Sequence, residues 1–309
     1  MIPLALALAW GLNWPVVKIV LGGMSPFTFR AIGLGGAALL LMALALARRT
    51  PLLPTRADVP GVLLGGVLTV AAFSLCTAFA QLLTSTSRAA VLTYTMPMIA
   101  AVLSRLFLGE RLSNRHHWAL ALGMAGIAVL AWPVWQSLAG GGVVGQAQGQ
   151  GQGQAAGAAA TAWLGLLFPL LAATAWAAGT VAAKRWPLRG DRVVNTAWQL
   201  ALGGASGVVG AVAFGETLPD QLSVSVWLAL IFHIVVATAW AYLLWFALLD
   251  RLSATVSALT TLAVPVVGVL GAMLLVGDRP SMLDGIGFML VLSGAALAVM
   301  RVNLPRARA

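Results

Sequence analysis

The chain consists of long apolar segments separated by short breaks that contain glycine, proline or charged residues. Each segment is long enough to cross roughly 30 Å of hydrocarbon as a helix. The segments cover residues 2–20, 27–47, 60–82, 88–108, 117–135, 162–184, 193–214, 224–246, 253–275 and 282–301. This pattern predicts an all-α membrane protein with ten transmembrane helices.

The sequence contains two stretches that match each other at a fixed distance. Residues 93–111 contain TYTMP followed by GER, and residues 261–279 contain TLAVP followed by GDR, 168 residues further on. The Trp and Lys at the ends of residues 10–18 recur at the ends of residues 176–184, an offset of 166. We therefore expect two repeats of five helices each.

The repeat predicts the domain organisation. We expect a first repeat over residues 1–135 and a second repeat over residues 161–309. Residues 136–160 are rich in Gly, Gln and Ala and carry no charge, which predicts a flexible linker on the outer face. Because five is an odd number, the second repeat should enter the membrane inverted relative to the first.

Composition supports a lipid environment, since 61% of the residues are hydrophobic and only 8% are charged. The net charge of +10 comes from scattered residues rather than a patch, which argues against a nucleic-acid partner. Of the 18 Lys and Arg residues, only Lys18, Arg30, Arg88 and Arg279 lie on the side opposite the termini. Both termini are therefore predicted to be cytoplasmic. The first segment lacks preceding basic residues and carries one half of the repeat, so we interpret it as a retained helix rather than a signal peptide.

Several kinds of chemistry are disfavoured. The single Cys76 excludes an internal disulfide, and the adjacent His116 and His117 have no carboxylates in register, so we expect no metal and no cofactor. All eight carboxylates lie near segment ends, and we expect no lysine or arginine at mid-segment. This argues against a carboxylate-driven cation antiporter, a phosphate site and a membrane enzyme.

The first helix carries the clearest candidate site. Trp10, Asn13 and Trp14 follow the spacing of one helix face, at a depth where indole and amide groups need partners inside the bundle. Trp176 is the equivalent of Trp10 in the second repeat. The face is either a cavity wall or part of the packed core, and we favour the cavity.

Two mid-helix prolines form a second candidate. Pro97 and Pro265 each deprive a carbonyl of its usual donor, at Thr93 and Thr261 respectively. Paired breaks in corresponding helices are typical of transport sites, although a packing kink is the alternative. Tyr94, next to Thr93, adds a phenol to the same region.

His233 lies near the centre of the eighth segment. It is either a neutral imidazole bonded to a neighbouring helix or a group that titrates or contacts substrate. We expect the aromatic and polar groups of both repeats to surround one cavity near the midplane. Such walls suit an aromatic or large apolar amino acid.

These motifs resemble the drug/metabolite transporter superfamily, in particular its ten-helix exporters built from two EamA-type repeats. The resemblance rests on Trp10-Gly11-x-Asn13 with Lys18, Ser25-Pro26-Phe27 with Arg30, Ser85-x-Ser87-Arg88-Ala89-Ala90 with Tyr94 and Pro97, and Gly109-Glu110-Arg111-Leu112. The second copy departs from the pattern, with Val256 at the position of Arg88 and Asp278 at that of Glu110. The resemblance implies a cavity lined by helices 1, 3, 4, 6, 8 and 9.

Among members of this superfamily the chain is most similar to bacterial exporters of aromatic amino acids. The resemblance therefore implies a multi-pass protein of the bacterial inner membrane that exports small metabolites by alternating access. The expected partners are a small solute and the lipid bilayer, and the sequence is compatible with a monomer. A channel-like facilitator, or a multidrug or cation exporter of the same superfamily, stays open as an alternative.

Overall fold

The computed structural model describes residues 2–109, 112, 114–139, 152–244 and 254–299. These residues form helices joined by short loops, and no strand occurs among them. The helices are α1 (Ile2–Leu21), α2 (Pro26–Ala47), α3 (Val59–Leu83), α4 (Thr86–Leu108), α5 (Asn114–Ala139), α6 (Gln152–Arg185), α7 (Arg192–Ala213), α8 (Val224–Leu244), α9 (Ala254–Leu275) and α10 (Met282–Val299).

Helix length and apolarity confirm the predicted class, an all-α membrane protein. Within the described ranges, seven helices are long and apolar enough to cross a membrane, namely α1 to α4 and α6 to α8. Shorter apolar helices cover Ala263–Leu275 of α9 and Met282–Leu297 of α10. The outer surface is apolar, with residues such as Val212 and Leu274 about four-fifths exposed, as expected for contact with lipid. Ten crossings stay a prediction.

The predicted linker overlaps both adjoining helices. α5 continues to Ala139 and α6 begins at Gln152, so helices enter residues 136–160 from both ends. The sequence 155–160 is AAGAAA, and alanine has the highest helix propensity of all residues, which accounts for the early start of α6. Residues 140–151 lie outside the described residues, and a flexible outer linker stays a prediction there.

The two predicted repeats pack mainly against each other. α2 lies along α7, α5 along α10, α1 along α9 and α3 along α6. The α2–α7 contact is close because α7 has glycine where the helices cross; a Cβ on Gly207 would stand 2.4 Å from the backbone nitrogen of Ala31. If each helix is replaced by its equivalent in the other half, α2–α7 and α5–α10 map onto themselves. The α1–α9 pair maps onto α6–α4 and the α3–α6 pair onto α8–α1, and both of these pairs are also in contact. This supports a two-fold relation.

Matching π-helical segments give the same indication. Residues Gly65–Ala72 of α3 and Phe232–Trp240 of α8 are π-helical, and their starts are 167 residues apart. π-helical turns are rare and often accompany functional sites. Their occurrence in corresponding helices supports the predicted repeat, while the inverted relation stays a prediction.

Carboxylates at the helix ends connect the two halves. Asp58, before α3, is buried and accepts hydrogen bonds from the backbone nitrogens of Arg189 and Gly190, both at 2.8 Å, and from Asn195 Nδ2 at 3.2 Å. Glu216, after α7, accepts a bond from the backbone nitrogen of Thr28 at 2.7 Å. Asp58 therefore satisfies N–H groups in the loop before α7, and Glu216 satisfies one in the first turn of α2, in each case from the other half.

The start of α4 is held in the same way. Asp278 accepts bonds from the backbone nitrogen and the hydroxyl of Ser87, at 2.8 and 3.0 Å. Arg88 forms an ion pair with Asp284 of α10. Contacts across the two halves thus explain why Asp58, Glu216, Asp278 and Asp284 lie near helix ends.

Candidate functional site

A cavity of about 370 Å³ lies between α1, α2, α3, α4, α6, α8 and α9. Its size falls within the roughly 300–1,000 Å³ range of small-molecule sites. Eight of the ten predicted site residues line it: Trp10, Asn13, Trp14, Thr93, Tyr94, Pro97, Trp176 and His233. Pro265 is buried in α9 beside Val264, which does line the cavity, and the side chain of Thr261 lies outside the described residues. That these residues bind a solute stays a prediction.

The predicted face of α1 makes specific contacts with other helices. Trp10 donates through Nε1 to the carbonyl of Ala237 at 3.2 Å, and its ring meets Tyr242 edge-on with centroids 6.1 Å apart. The Asn13 side-chain oxygen lies 2.8 Å from His233 Nδ1. Deep polar groups on α1 are thus satisfied by α8 inside the bundle.

His233 is itself enclosed by apolar and aromatic groups. It is 3% exposed, and its ring lies 4.8 Å from that of Phe29 on α2. A Cβ on Gly33 would stand 2.9 Å from the imidazole, so glycine at this position makes room for the ring. The Nε2 atom has no recorded partner. The bond to Asn13 supports the predicted role of a helix-bonding imidazole.

The two prolines differ in their effect on the helices. α4 is interrupted at Tyr94 and Thr95, whose backbone nitrogens donate to the carbonyls three residues earlier at 2.9 and 3.1 Å. α9 continues through Pro265 without interruption, so the predicted paired break is present in α4 alone among the described helices. The Thr95 hydroxyl donates to the Leu92 carbonyl at 2.8 Å, and the equivalent residue Ala263 has no hydroxyl. This bond offers a physical reason for the difference.

Arg30 lines the cavity, so one of the basic residues near a segment end faces the interior of the bundle. It is only 3% exposed, although it lies one turn from the start of α2 and was counted among the charges at helix ends. The reason is that Arg30 shares the inward face of α2 with Leu34 and Ala37, which are also buried. Position within a segment therefore did not predict depth of burial.

The contacts of Arg30 are few. One guanidinium nitrogen donates to the Thr77 hydroxyl at 3.2 Å, and the carbon Cζ lies 4.5 Å from the centre of the Phe29 ring. The Nε atom is buried without a hydrogen-bond partner. The cavity therefore contains a cationic group that is only partly satisfied by protein.

The polar face of α3 was also missed. Ser74, Thr77 and Gln81 all line the cavity and are at most 8% exposed. They follow the spacing i, i+3, i+7, the same spacing rule that identified the face of α1. Applying this rule to α3 would have found them. The backbone carbonyl of Gln81 accepts a bond from Lys18, which joins the ends of α1 and α3.

The cavity has two chemically different ends. The polar end contains Arg30, Thr77 and Gln81, near the start of α2 and the end of α3. The aromatic end lies further from Lys18 along α1, and its side chains are Trp10, Phe73, Tyr94, Trp176 and Tyr242. A solute with a polar group and an apolar group would therefore have one favourable orientation.

Sequence comparison places the chain in a family. The model of the EamA-like transporter family matches residues 1–132 and 163–300. The chain belongs to the EamA-like transporter family. It is accordingly a multi-pass membrane transporter, and the two EamA matches fall on the two predicted repeats.

Several curated relatives are named as transporters. The chain is 25% identical to the uncharacterized transporter YvbV of Bacillus subtilis, over 98% of this chain and 92% of that protein. It is 25% identical to a protein of Escherichia coli named as a probable amino-acid metabolite efflux pump, over 98% and 95% of the two chains. A relative named as the inner membrane transporter YedA, from Escherichia coli, is 26% identical over 78% of this chain and 72% of its own.

A solved crystal structure superposes with a TM-score of 0.61 at 23% identity, covering 96% of this chain and 94% of the other. At this identity the likeness shows the fold alone. The shared fold extends over nearly the whole chain.

Proposed function

We propose that this EamA-family protein exports small amphipathic metabolites, in particular aromatic or large apolar amino acids, by alternating access. The observation that carries the proposal is the central cavity, whose aromatic end is formed by residues from both halves. Trp10, Tyr94 and Trp176 provide flat apolar surfaces that favour burial and stacking of an aromatic group, at about 0.5–1.5 kcal/mol per pair beyond area alone.

The exposure of the lining residues supports loading from one side. Thr180 is exposed at the aromatic end of the cavity, whereas Arg30 and Gln81 are 3% and 1% exposed at the polar end. At the polar end, Lys18 donates a hydrogen bond to the Gln81 carbonyl and so connects α1 to α3. With the predicted cytoplasmic termini, the accessible end faces the cytoplasm, as an exporter awaiting its solute requires.

The name of the Escherichia coli relative agrees with this substrate class, because it refers to amino-acid metabolites. Alternating access is supported by the paired π-helical segments and by the packing of each half against the other. A rearrangement of these contacts would close the aromatic end and open the polar end.

Transport by the purified protein in liposomes tests the proposal. Loaded phenylalanine should leave with saturable kinetics, and phenylalanine outside should accelerate the exchange. The Trp14→Ala variant should lower the rate several-fold, since Trp14 lines the cavity and is 8% exposed. Trp227→Ala is the matched control, because Trp227 is 52% exposed on the outer surface.

Two results would contradict the proposal. Flux that neither saturates nor shows exchange would indicate the channel-like alternative. Transport of organic cations in preference to amino acids would indicate the multidrug or cation exporter. Normal transport by the Trp10→Ala, Trp14→Ala and Tyr94→Ala variants would show that these aromatic residues serve packing alone.

A further inference from the structure

We infer that Arg30 is the residue that binds a carboxylate of the transported solute, so that the protein selects aromatic or large apolar carboxylates over the corresponding amines. The inference rests on the proposed transport role of the cavity and specifies its substrate class. It is carried by the burial of Arg30, its position on the cavity wall and its incomplete set of partners.

The charge of Arg30 has no counter-ion in the described part of the chain. The ion pair formed there joins Arg88 to Asp284 near the start of α4. The remaining buried carboxylate, Asp58, is occupied by N–H groups that precede and begin α7. An intramembrane cation without a counter-ion from the protein is expected to serve a binding or transport function.

The existing contacts do not satisfy the guanidinium. It carries five N–H donors, of which one meets the Thr77 hydroxyl and the buried Nε meets none. The Phe29 ring, 4.5 Å from Cζ, stabilises the positive charge but accepts no conventional hydrogen bond. A planar carboxylate offers two oxygens to such a fork of donors and also neutralises the charge.

The arrangement of the cavity fixes the rest of the substrate. With a carboxylate at Arg30, the remainder of the solute extends toward Trp10, Tyr94 and Trp176 at the aromatic end. Arg30 is the only lysine or arginine among the described residues that line the cavity. One lining cation suits a monocarboxylate better than a phosphate monoester, which carries a second charge. An amino group is permitted, since the Thr93 carbonyl was predicted to be free to accept it.

A ligand series on the unmodified protein tests the inference directly. Full-length protein in lipid nanodiscs is titrated calorimetrically with phenylalanine, 3-phenylpropionate, 2-phenylethylamine and phenyl phosphate. Phenylalanine and 3-phenylpropionate should bind at least about tenfold more tightly than 2-phenylethylamine, the effect of one hydrogen-bonded charge pair. Phenyl phosphate should bind more weakly than 3-phenylpropionate.

Variants then assign the preference to Arg30. Arg30→Gln should bring the affinities of 3-phenylpropionate and 2-phenylethylamine within about twofold of each other, a loss of the tenfold discrimination. Arg30→Lys keeps the charge and should retain part of the preference. Arg105→Gln is the matched control, because Arg105 is exposed and its substitution removes the same charge at a site away from the cavity.

The outcomes separate this inference from the proposed function. Equal binding of the acid and the amine by the unmodified protein would overturn the inference alone, as would equal weakening of both ligands by Arg30→Gln. Tighter binding of phenyl phosphate would overturn the carboxylate assignment. If none of the aromatic solutes binds or is transported, the proposed function fails and the inference falls with it.

Discussion

The two halves of the molecule share a backbone plan but differ in the chemistry they bring to the cavity. At an offset of 166, the face of α1 that carries Trp10 and Asn13 corresponds to the face of α6 that carries Trp176 and Gly179. An added Cβ on Gly179 would stand 2.0 Å from the Thr69 hydroxyl, so a larger residue does not fit there. The tryptophan is kept in both halves and the polar group in only one.

α2 and α7 differ in the same way. Arg30 corresponds by position to Thr196, which is also buried. Among the described residues that line the cavity, the only lysine or arginine therefore comes from the first half. Backbone devices, such as the π-helical segments, occur in both halves. This difference indicates that a duplicated backbone can support symmetric opening to the two sides of the membrane, while side chains that differ between the halves make the two ends of the cavity chemically different.

The largest expected effect concerns the carboxylates that join the halves. Asp58 accepts three bonds while buried, so Asp58→Asn should cost about 3 kcal/mol at neutral pH and lower the denaturation midpoint in detergent by roughly 5–10 °C. The less buried Glu216→Gln should cost about 1 kcal/mol. Equal losses would show that the two ends of the bundle are held equally strongly.

The effect of Asp58 should depend on pH in a defined direction. The hydrogen bond from the Arg189 backbone nitrogen, with those from Gly190 and Asn195, lowers the pKa of the Asp58 carboxyl in spite of its burial. Stability from a depressed pKa is present above the unfolded value near 4 and is lost as the pH falls through the folded value. Wild type and Asp58→Asn should therefore converge below about pH 4, and a constant difference down to pH 3 would contradict this account.

The equivalent tryptophans offer the next comparison. Trp10 donates a hydrogen bond to α8 and contacts Tyr242, whereas Trp176 stacks at a tilt on Phe73 with centroids 4.8 Å apart. Trp10→Ala should lower the transport rate about tenfold, and Trp176→Ala about threefold, because only the first also removes a bond between the halves. Efflux from proteoliposomes measures both, and the reverse order would show that the second half dominates binding.

Substitutions of the two prolines should change the transport rate less than those of the tryptophans. Pro97 follows the interruption of α4 and lines the cavity, whereas Pro265 lies in a continuous helix. Pro97→Ala lets a helix form across the interruption and should slow transport about threefold, while Pro265→Ala should change it less than about twofold. Equal effects in the same efflux assay would indicate that both prolines act as hinges.

This pair of prolines also shows what sequence could and could not predict. The shared Thr-x-x-x-Pro pattern gave the repeat and directed attention to Tyr94 and Pro97, which line the cavity. The pattern could not distinguish the interrupted helix from the continuous one. That difference goes with a single hydroxyl, of Thr95, and with its local hydrogen bond.

Arg30 shows the corresponding limit for charge. Its place near the start of α2 suggested a residue at the membrane edge, but burial depends on which neighbours cover a helix face. Two of the residues around it, Thr77 and His233, come from α3 and α8, which are distant in sequence from α2. The π-helical segments were likewise outside the reach of prediction, because the sequences GGVLTVAA and FHIVVATAW do not differ in kind from the α-helical parts of the same apolar segments.

The smallest effect is expected at His233, whose counterpart in the first half is Gly66 at the 167-residue offset of the π-helical segments. Its Nδ1 lies 2.8 Å from Asn13, and a glutamine amide can keep a bond to the same oxygen. The His233→Gln variant should therefore have a transport rate within about twofold of wild type and the same pH profile. The His233→Leu variant leaves the Asn13 side chain without this hydrogen bond, so its transport rate should fall several-fold. Measuring efflux from pH 5 to 8 for the three proteins decides the matter. A flattened profile in His233→Gln alone would mean that the imidazole exchanges a proton during transport, and that the second half contributes more than a hydrogen bond to the site.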